Sequence, residues 1–214
     1  MYALHDVVIL SRNYIPKGRI VADISYCLPW TVTIGVFLKD VVDKDPDKVY
    51  LYYKDNSITY KEFYENSRKA AQMYWNLGVR HGDRVSMFMP NGLEILYSWM
   101  GLSMLGAIMV PINTAYRQSE TAYIVQNAEA KMVVAHHSLM EVAVDAVALC
   151  KSVEVRMVVS DGEESFDGWY DFWETIESVG NDAGWDDSAV SPDDISVLVY
   201  TSGTTGNPKG VMIT

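Results

Sequence analysis

Residues 198–214, LVYTSGTTGNPKGVMIT, hold the side chains of this chain best suited to chemistry. Thr201, Ser202, Thr204 and Thr205 supply hydroxyls, and Lys209 supplies a cation. Gly203, Gly206 and Gly210 carry no Cβ, so the backbone there can turn tightly and approach a bound group. Backbone N–H groups, hydroxyls and one ammonium gathered in a loop suit a polyphosphate. The pattern differs from G-x-x-x-x-G-K-[ST], the phosphate loop that opens a helix. Counting from Gly203, the second glycine position holds Pro208, and Gly210 replaces the hydroxyl that would ligate Mg²⁺. Leu198-Val199-Tyr200 leads in and Val211-Met212-Ile213 leads out, both strand-like. With a strand after the loop, no helix dipole points at the phosphate. The loop would grip through its own amides, hydroxyls and Lys209. The plain alternative is a flexible hairpin carrying a solvated lysine.

Residues 200–211, YTSGTTGNPKGV, resemble the phosphate-loop signature of the adenylate-forming (AMP-binding) superfamily. That superfamily includes acyl-CoA synthetases, aryl-CoA ligases, luciferases and the adenylation domains of peptide synthetases. The resemblance extends to TYKE at residues 59–62, to GVRHGDRV at 78–85, and to a strand ending in Pro90-Asn91. In VPINTAYR, residues 110–117, Asn113 and Arg117 stand where peptide-synthetase domains usually show Asp and a second Pro. This is similar to the acyl-CoA synthetase branch, and within it to carnitine/crotonobetaine-CoA ligases.

The resemblance implies that a small-molecule carboxylate is activated with ATP to an acyl adenylate and then passed to CoA. It implies Lys209 as a catalytic residue. Thr201, Ser202, Gly203, Thr204, Thr205, Gly206 and Lys209 would bind the nucleotide. Mg²⁺ is implied too, with its protein ligand outside this chain, and no metal ligand is assigned within it. The likeness covers residues 31–214 and leaves 1–30 as an N-terminal extension. The superfamily's later motifs lie downstream of the loop, so the chain is expected to be an N-terminal portion, inactive alone. A nucleotide-binding or interaction fragment without catalysis is the alternative, and a small membrane-associated protein the lesser one.

The elements that would position the loop follow from periodicity. Residues 7–10 read as a strand, and Thr33 caps a short helix that ends before Pro46. Residues 49–53 and 57–60 suggest a hairpin turning at Asp55-Asn56. Thr59 and Glu62 form a capping box, after which Phe63, Ala70, Ala71, Tyr74 and Leu77 share a helical face that stops at Gly78. Residues 84–89 read as a buried strand. Residues 95–116 carry no charge, which could suit a membrane helix. Gly106 and Pro111 split the run, favouring a buried helix over 93–105 and a strand over 108–110, with Tyr97, Trp99 and Met100 in the core. A helix starting at Ser119, a strand over 131–135, a helix over 139–150 with Val142, Ala146 and Leu149 inward, and a strand over 156–159 follow. This β–α–β–α rhythm indicates an α/β fold, a mainly parallel sheet with helices on both faces. His136-His137 reads as a strand-end turn, since adjacent side chains diverge on a regular element. Twelve Asp or Glu between Asp161 and Asp194 read as a solvated linker, and residues 166–176 as a short helix packing Trp169, Phe172 and Trp173.

Composition bounds the function. With 49% hydrophobic and 21% charged residues over 214, the chain can bury one sizeable core. A net charge of −11 disfavours nucleic acid and anionic membrane as partners. Cys27 and Cys150 make neither a disulfide framework nor a zinc site, so a reducing cytoplasm is expected. The N-terminus has no cation before its apolar run and is a poor signal peptide. Apolar surface left uncovered on a fragment would favour self-association.

Overall fold

The computed structural model describes residues 7–9, 32–160, 162, 165–180, 184–201 and 208–214. Strand β1 (Val7–Ile9) pairs antiparallel with β2 (Val49–Tyr53), which pairs with β3 (Asn56–Thr59) to make a small sheet. Between β1 and β2 lies helix α1 (Ile34–Lys44), capped by the Thr33 hydroxyl, which accepts from the Val36 N–H. The hairpin turns one residue earlier than expected. Asn56 already pairs with Tyr53, and the turn is Lys54-Asp55, with Lys54 at φ 52°.

The capping box opens helix α2 (Tyr60–Asn76): the Glu62 carboxylate accepts from the Thr59 N–H at 2.8 Å, and the Glu62 N–H donates to the Thr59 hydroxyl at 3.2 Å. Phe63, Ala70, Ala71 and Tyr74 are buried as their spacing requires, while Leu77 is half-buried. Gly78 ends the helix at φ +89°, a conformation open to glycine.

The main sheet then builds from alternating units: β4 (Arg84–Phe88), α3 (Leu93–Met104), β5 (Ile108–Pro111), α4 (Gln118–Asn127), β6 (Met132–His136), α5 (Met140–Val147) and β7 (Val155–Val159). β4 to β7 are mutually parallel, with β4 between β5 and β6. The uncharged stretch is therefore a buried helix and strand. Among the described residues no helix is long and apolar enough to cross a membrane.

Successive side chains of these strands face opposite ways, and the core divides accordingly. Val85, Met87, Met109, Met132, Val134 and Met157 pack toward α2 and α3. Phe88, Val110, Val133, Ala135 and Val158 pack toward α4 and α5. Gly101 lets α3 approach α2 closely: a Cβ there would lie 2.7 Å from the Ala71 nitrogen. The Tyr74 hydroxyl donates to Ser98 Oγ at 2.7 Å across the same seam.

Three local readings need correction. α4 starts at Gln118, because the Glu120 carboxylate accepts from the Arg117 N–H at 3.0 Å and fixes the first turn before Ser119. The 139–150 helix is shorter: residues His137–Leu139 form a 3-10 turn and α5 spans Met140–Val147. Its buried residues are Met140, Ala143, Ala146 and Val147, with Cys150 buried beyond its end, while Val142 is half-buried and Leu149 exposed. Residues 166–176 are not one helix. Gly168 turns at φ +76°, Tyr170–Asp171 pairs with β7 as β8, and α6 (Phe172–Ser178) begins only where the Asp171 carboxylate caps the Glu174 N–H. Phe172 is buried as expected, and Trp169 and Trp173 are half-buried.

After a 3-10 turn (Asp187–Ala189), β9 (Val197–Thr201) joins β5 in parallel and β10 (Lys209–Ile213) folds back antiparallel. The seven-stranded sheet runs β10-β9-β5-β4-β6-β7-β8.

Candidate phosphate-binding site

Thr201 closes β9 and Lys209 opens β10, and the two are cross-strand partners. Directly opposed residues share a face of a sheet, so a hydroxyl and an ammonium rise side by side from the base of the loop. Both residues are exposed. Among the described residues Lys209 makes no ion pair. β9 runs parallel to β5, so Thr201 stands at the carboxyl edge of the parallel sheet, where open α/β sheets bind ligands. The strand expected after the loop is present, so the site has no helix dipole behind it. Ser202, Gly203, Thr204, Thr205 and Gly206 lie outside the described residues.

Gly210 differs from its reading as a turning residue. It sits in β10 opposite Tyr200, without a positive φ. A Cβ there would stand 2.9 Å from Leu198 Cδ1 and 3.4 Å from Tyr200 Cζ. The missing side chain makes room for its neighbours.

Tyr200, read from the sequence as part of the strand leading into the loop, also has a partner on α4. It faces away from Thr201, against the α4 side of the core. Its hydroxyl donates to Asn127 Oδ1 at 2.7 Å. One turn earlier on α4, the Tyr123 hydroxyl donates to the Pro208 carbonyl at 3.3 Å. Burial raises the Tyr200 pKa, and the nearby Tyr123 adds to the rise. A hairpin drawn on the sequence already puts Gly210 opposite Tyr200. No spacing rule reveals Asn127 or Tyr123, which come from a distant helix.

Among the described residues, cavities lie elsewhere. One of about 340 Å³ is lined by Thr33, Ser103, Asp194 and Ser196 at the amino ends of β5 and β9. One of about 520 Å³ lies by β7 and α6, lined by Ser160, Trp169, Asp171 and Trp173. Among the described residues no group of three His, Cys, Asp or Glu side chains could hold a metal ion. His136 and His137 do sit at the end of β6, but their rings approach to 4.4 Å between centroids instead of diverging. The regular strand stops between them.

The AMP-binding enzyme family matches residues 38–214. A crotonobetaine/carnitine–CoA ligase of Escherichia coli O139:H28 (strain E24377A / ETEC) is 31% identical over 167 residues, covering 74% of this chain and 31% of that protein. The protein of the same description from Salmonella agona (strain SL483) is 32% identical over 159 residues, covering 73% and 30%. The chain spans about a third of the length of these relatives. Among solved structures, an anthranilate CoA ligase in complex with anthranoyl-AMP superposes with a TM-score of 0.78 at 26% identity, over 86% of this chain and 35% of that one. A long-chain-fatty-acid–CoA ligase of Archaeoglobus fulgidus gives 0.72 at 26% identity, over 86% and 36%.

Proposed function

Because the chain belongs to the AMP-binding enzyme family, we propose that residues 31–214 are the phosphate-gripping portion of an ATP-dependent acyl-CoA synthetase, with 1–30 an extension before it. The overall reaction is carboxylate, ATP and CoA giving acyl-CoA, AMP and pyrophosphate. A carboxylate oxygen attacks the α-phosphorus, and the bond to the bridging oxygen breaks as pyrophosphate leaves. Charge grows on the departing phosphates, and donors already in place there lower the barrier. Thr201, Ser202, Thr204 and Thr205 offer hydroxyls for that task, Gly203 and Gly206 allow close backbone approach, and Lys209 offers a point charge. The observation that carries this reading is the Thr201–Lys209 pair at the carboxyl edge of the parallel sheet.

Mg²⁺ ordinarily accompanies such phosphates. The described residues offer no ligand cluster for it, and no step above runs through it. We place its protein ligand, with the carboxylate pocket and the CoA site, outside these 214 residues. Chemistry of this kind suits the cytoplasm, where ATP and CoA meet.

ATP–pyrophosphate exchange on the complete gene product, run against a panel of carboxylates including quaternary-ammonium acids, tests the reading. Carboxylate-dependent exchange followed by thioester formation with CoA is expected. No exchange with any carboxylate would overturn it. Residues 1–214 alone are expected to give none, and clear exchange from them would sink the argument for incompleteness.

A further inference from the structure

We propose that helix α4 positions the two strand ends that flank the phosphate loop, with Tyr123, Asn127 and Tyr200 as the positioning residues. The inference rests on the phosphate-loop reading above and assigns roles to residues outside the gripping set.

The β9–β10 hairpin needs such support. All five residues of β10 are exposed, and β9 is its one strand partner among the described residues. The ladder fixes register, Thr201 against Lys209, but β9 meets β5 in register only at Met109↔Val197, at its amino end, so that pairing does not reach the loop end of the hairpin. α4 restrains each arm once. Asn127 holds the Tyr200 hydroxyl, one residue before Thr201. Tyr123 holds the Pro208 carbonyl, one residue before Lys209. Peptide planarity makes the second contact informative: fixing the Pro208 oxygen orients the whole Pro208–Lys209 peptide and sets where the lysine side chain begins.

α4 is a firm anchor. Tyr123 and Asn127 are four residues apart and so share a helix face. Thr121, Ala122, Ile124 and Val125 are buried beneath them, and Gln126 Nε2 donates to the Leu149 carbonyl at 2.9 Å. Gly210, opposite Tyr200, leaves the space beside that ring open, where a Cβ would stand 2.9 Å from Leu198 Cδ1 and 3.4 Å from Tyr200 Cζ.

The test compares Tyr123→Phe, Asn127→Leu and Tyr200→Phe with the unaltered 214-residue chain. Amide exchange is followed at residues 199–201 and 209–211, with β4 as internal reference. Affinity for inorganic tripolyphosphate is measured by titration. Losing one hydrogen bond of ordinary worth speeds exchange and weakens binding roughly three- to tenfold, with β4 exchange unchanged. Asn127→Leu combined with Tyr200→Phe adds nothing to either alone, because both remove one contact. Unchanged exchange at both flanks in all three variants overturns the proposal, as does equal acceleration in β4, which would mark plain destabilisation. If the unaltered chain binds no tripolyphosphate, the phosphate-loop reading falls, and exchange alone decides whether α4 holds the hairpin.

Discussion

The four central strands and the β9–β10 hairpin belong to one sheet but are held by opposite means. Val85, Met87 and Phe88 of β4 are 0% exposed, and parallel neighbours flank them on both sides. Val211, Met212 and Ile213 of β10 are 48, 65 and 47% exposed, and β9 meets β5 in register at the single pair Met109↔Val197. Burial fixes the first region wherever apolar side chains find their faces. The second carries the candidate chemistry and depends on individual polar contacts. A phosphate loop at a sheet edge gains access to its ligand and loses the packing that would hold it still.

The largest effect that could break this contrast is on stability. Phe88→Ala removes a fully buried ring and is expected to cost about 3–5 kcal/mol. Met212→Ala, on the exposed strand, is expected to stay within about 0.5 kcal/mol. Urea midpoints of the two variants decide it. Comparable losses would mean the hairpin is packed like the centre.

Activity sharpens the contrast from the other side. In the complete enzyme Lys209→Ala is expected to slow adenylation about a hundredfold, on the order of 3 kcal/mol for one lost transition-state donor, while stability barely moves. If the contact strengthens as pyrophosphate separates, the fall should appear in kcat as well as kcat/KM. Single-turnover adenylate formation within twofold of wild type at saturating ATP would reduce Lys209 to a solvated charge.

A third expectation concerns the bare edge. The outer edge of β10, which has no strand partner among the described residues and carries apolar side chains in solvent, is a template for strand addition. Purified residues 1–214 should scatter light as species larger than the 24.1 kDa monomer, and Met212→Lys should shift them toward it. A monodisperse wild-type monomer would show that the edge is already protected.

The same contrast decides what was legible in the sequence. Residues 84–159 declare themselves, because alternating burial and helical periodicity leave marks at every second or third position. The strand over 84–89, the helix over 93–105 and the strand over 156–159 each land within a residue or so of the observed bounds. Errors fell where one polar contact outweighs a pattern. Glu120 moved the start of α4, and Asp171 with Gly168 broke the helix expected over 166–176. Leu149 looked like a core residue by helical spacing, yet the helix ends before it. At the candidate site, the strands that end at Thr201 and begin at Lys209 were legible through the motif. The α4 contacts were not, since Tyr123 and Asn127 lie 85 and 73 residues in sequence from Pro208 and Tyr200.

The smallest effect tests the seam between the two regions. Asp194 closes the turn that delivers the chain into β9, its carboxylate accepting from the Ser191 N–H at 2.8 Å. The same Oδ2 lies 2.8 Å from His81 Nε2, in the turn that precedes β4. The Ser191 N–H chiefly, and His81 next, hold the Asp194 carboxyl below its ordinary value. A depressed carboxylate stabilises the native state above the unfolded pKa, about 3.9 for Asp, and loses that contribution as pH falls through the folded value. Acidification below about pH 4 should therefore loosen the join between β4 and β9. Both side chains are partly exposed, 52 and 27%, so solvent screening keeps the stake below about 1 kcal/mol. Asp194→Asn keeps an acceptor for Ser191 but removes the charge. It should be slightly less stable than wild type at pH 7 and converge with it toward pH 3 in thermal melts. Curves that stay parallel over that range would mean the Asp194 charge, shared by the Ser191 N–H and His81, carries no weight in joining β4 to β9.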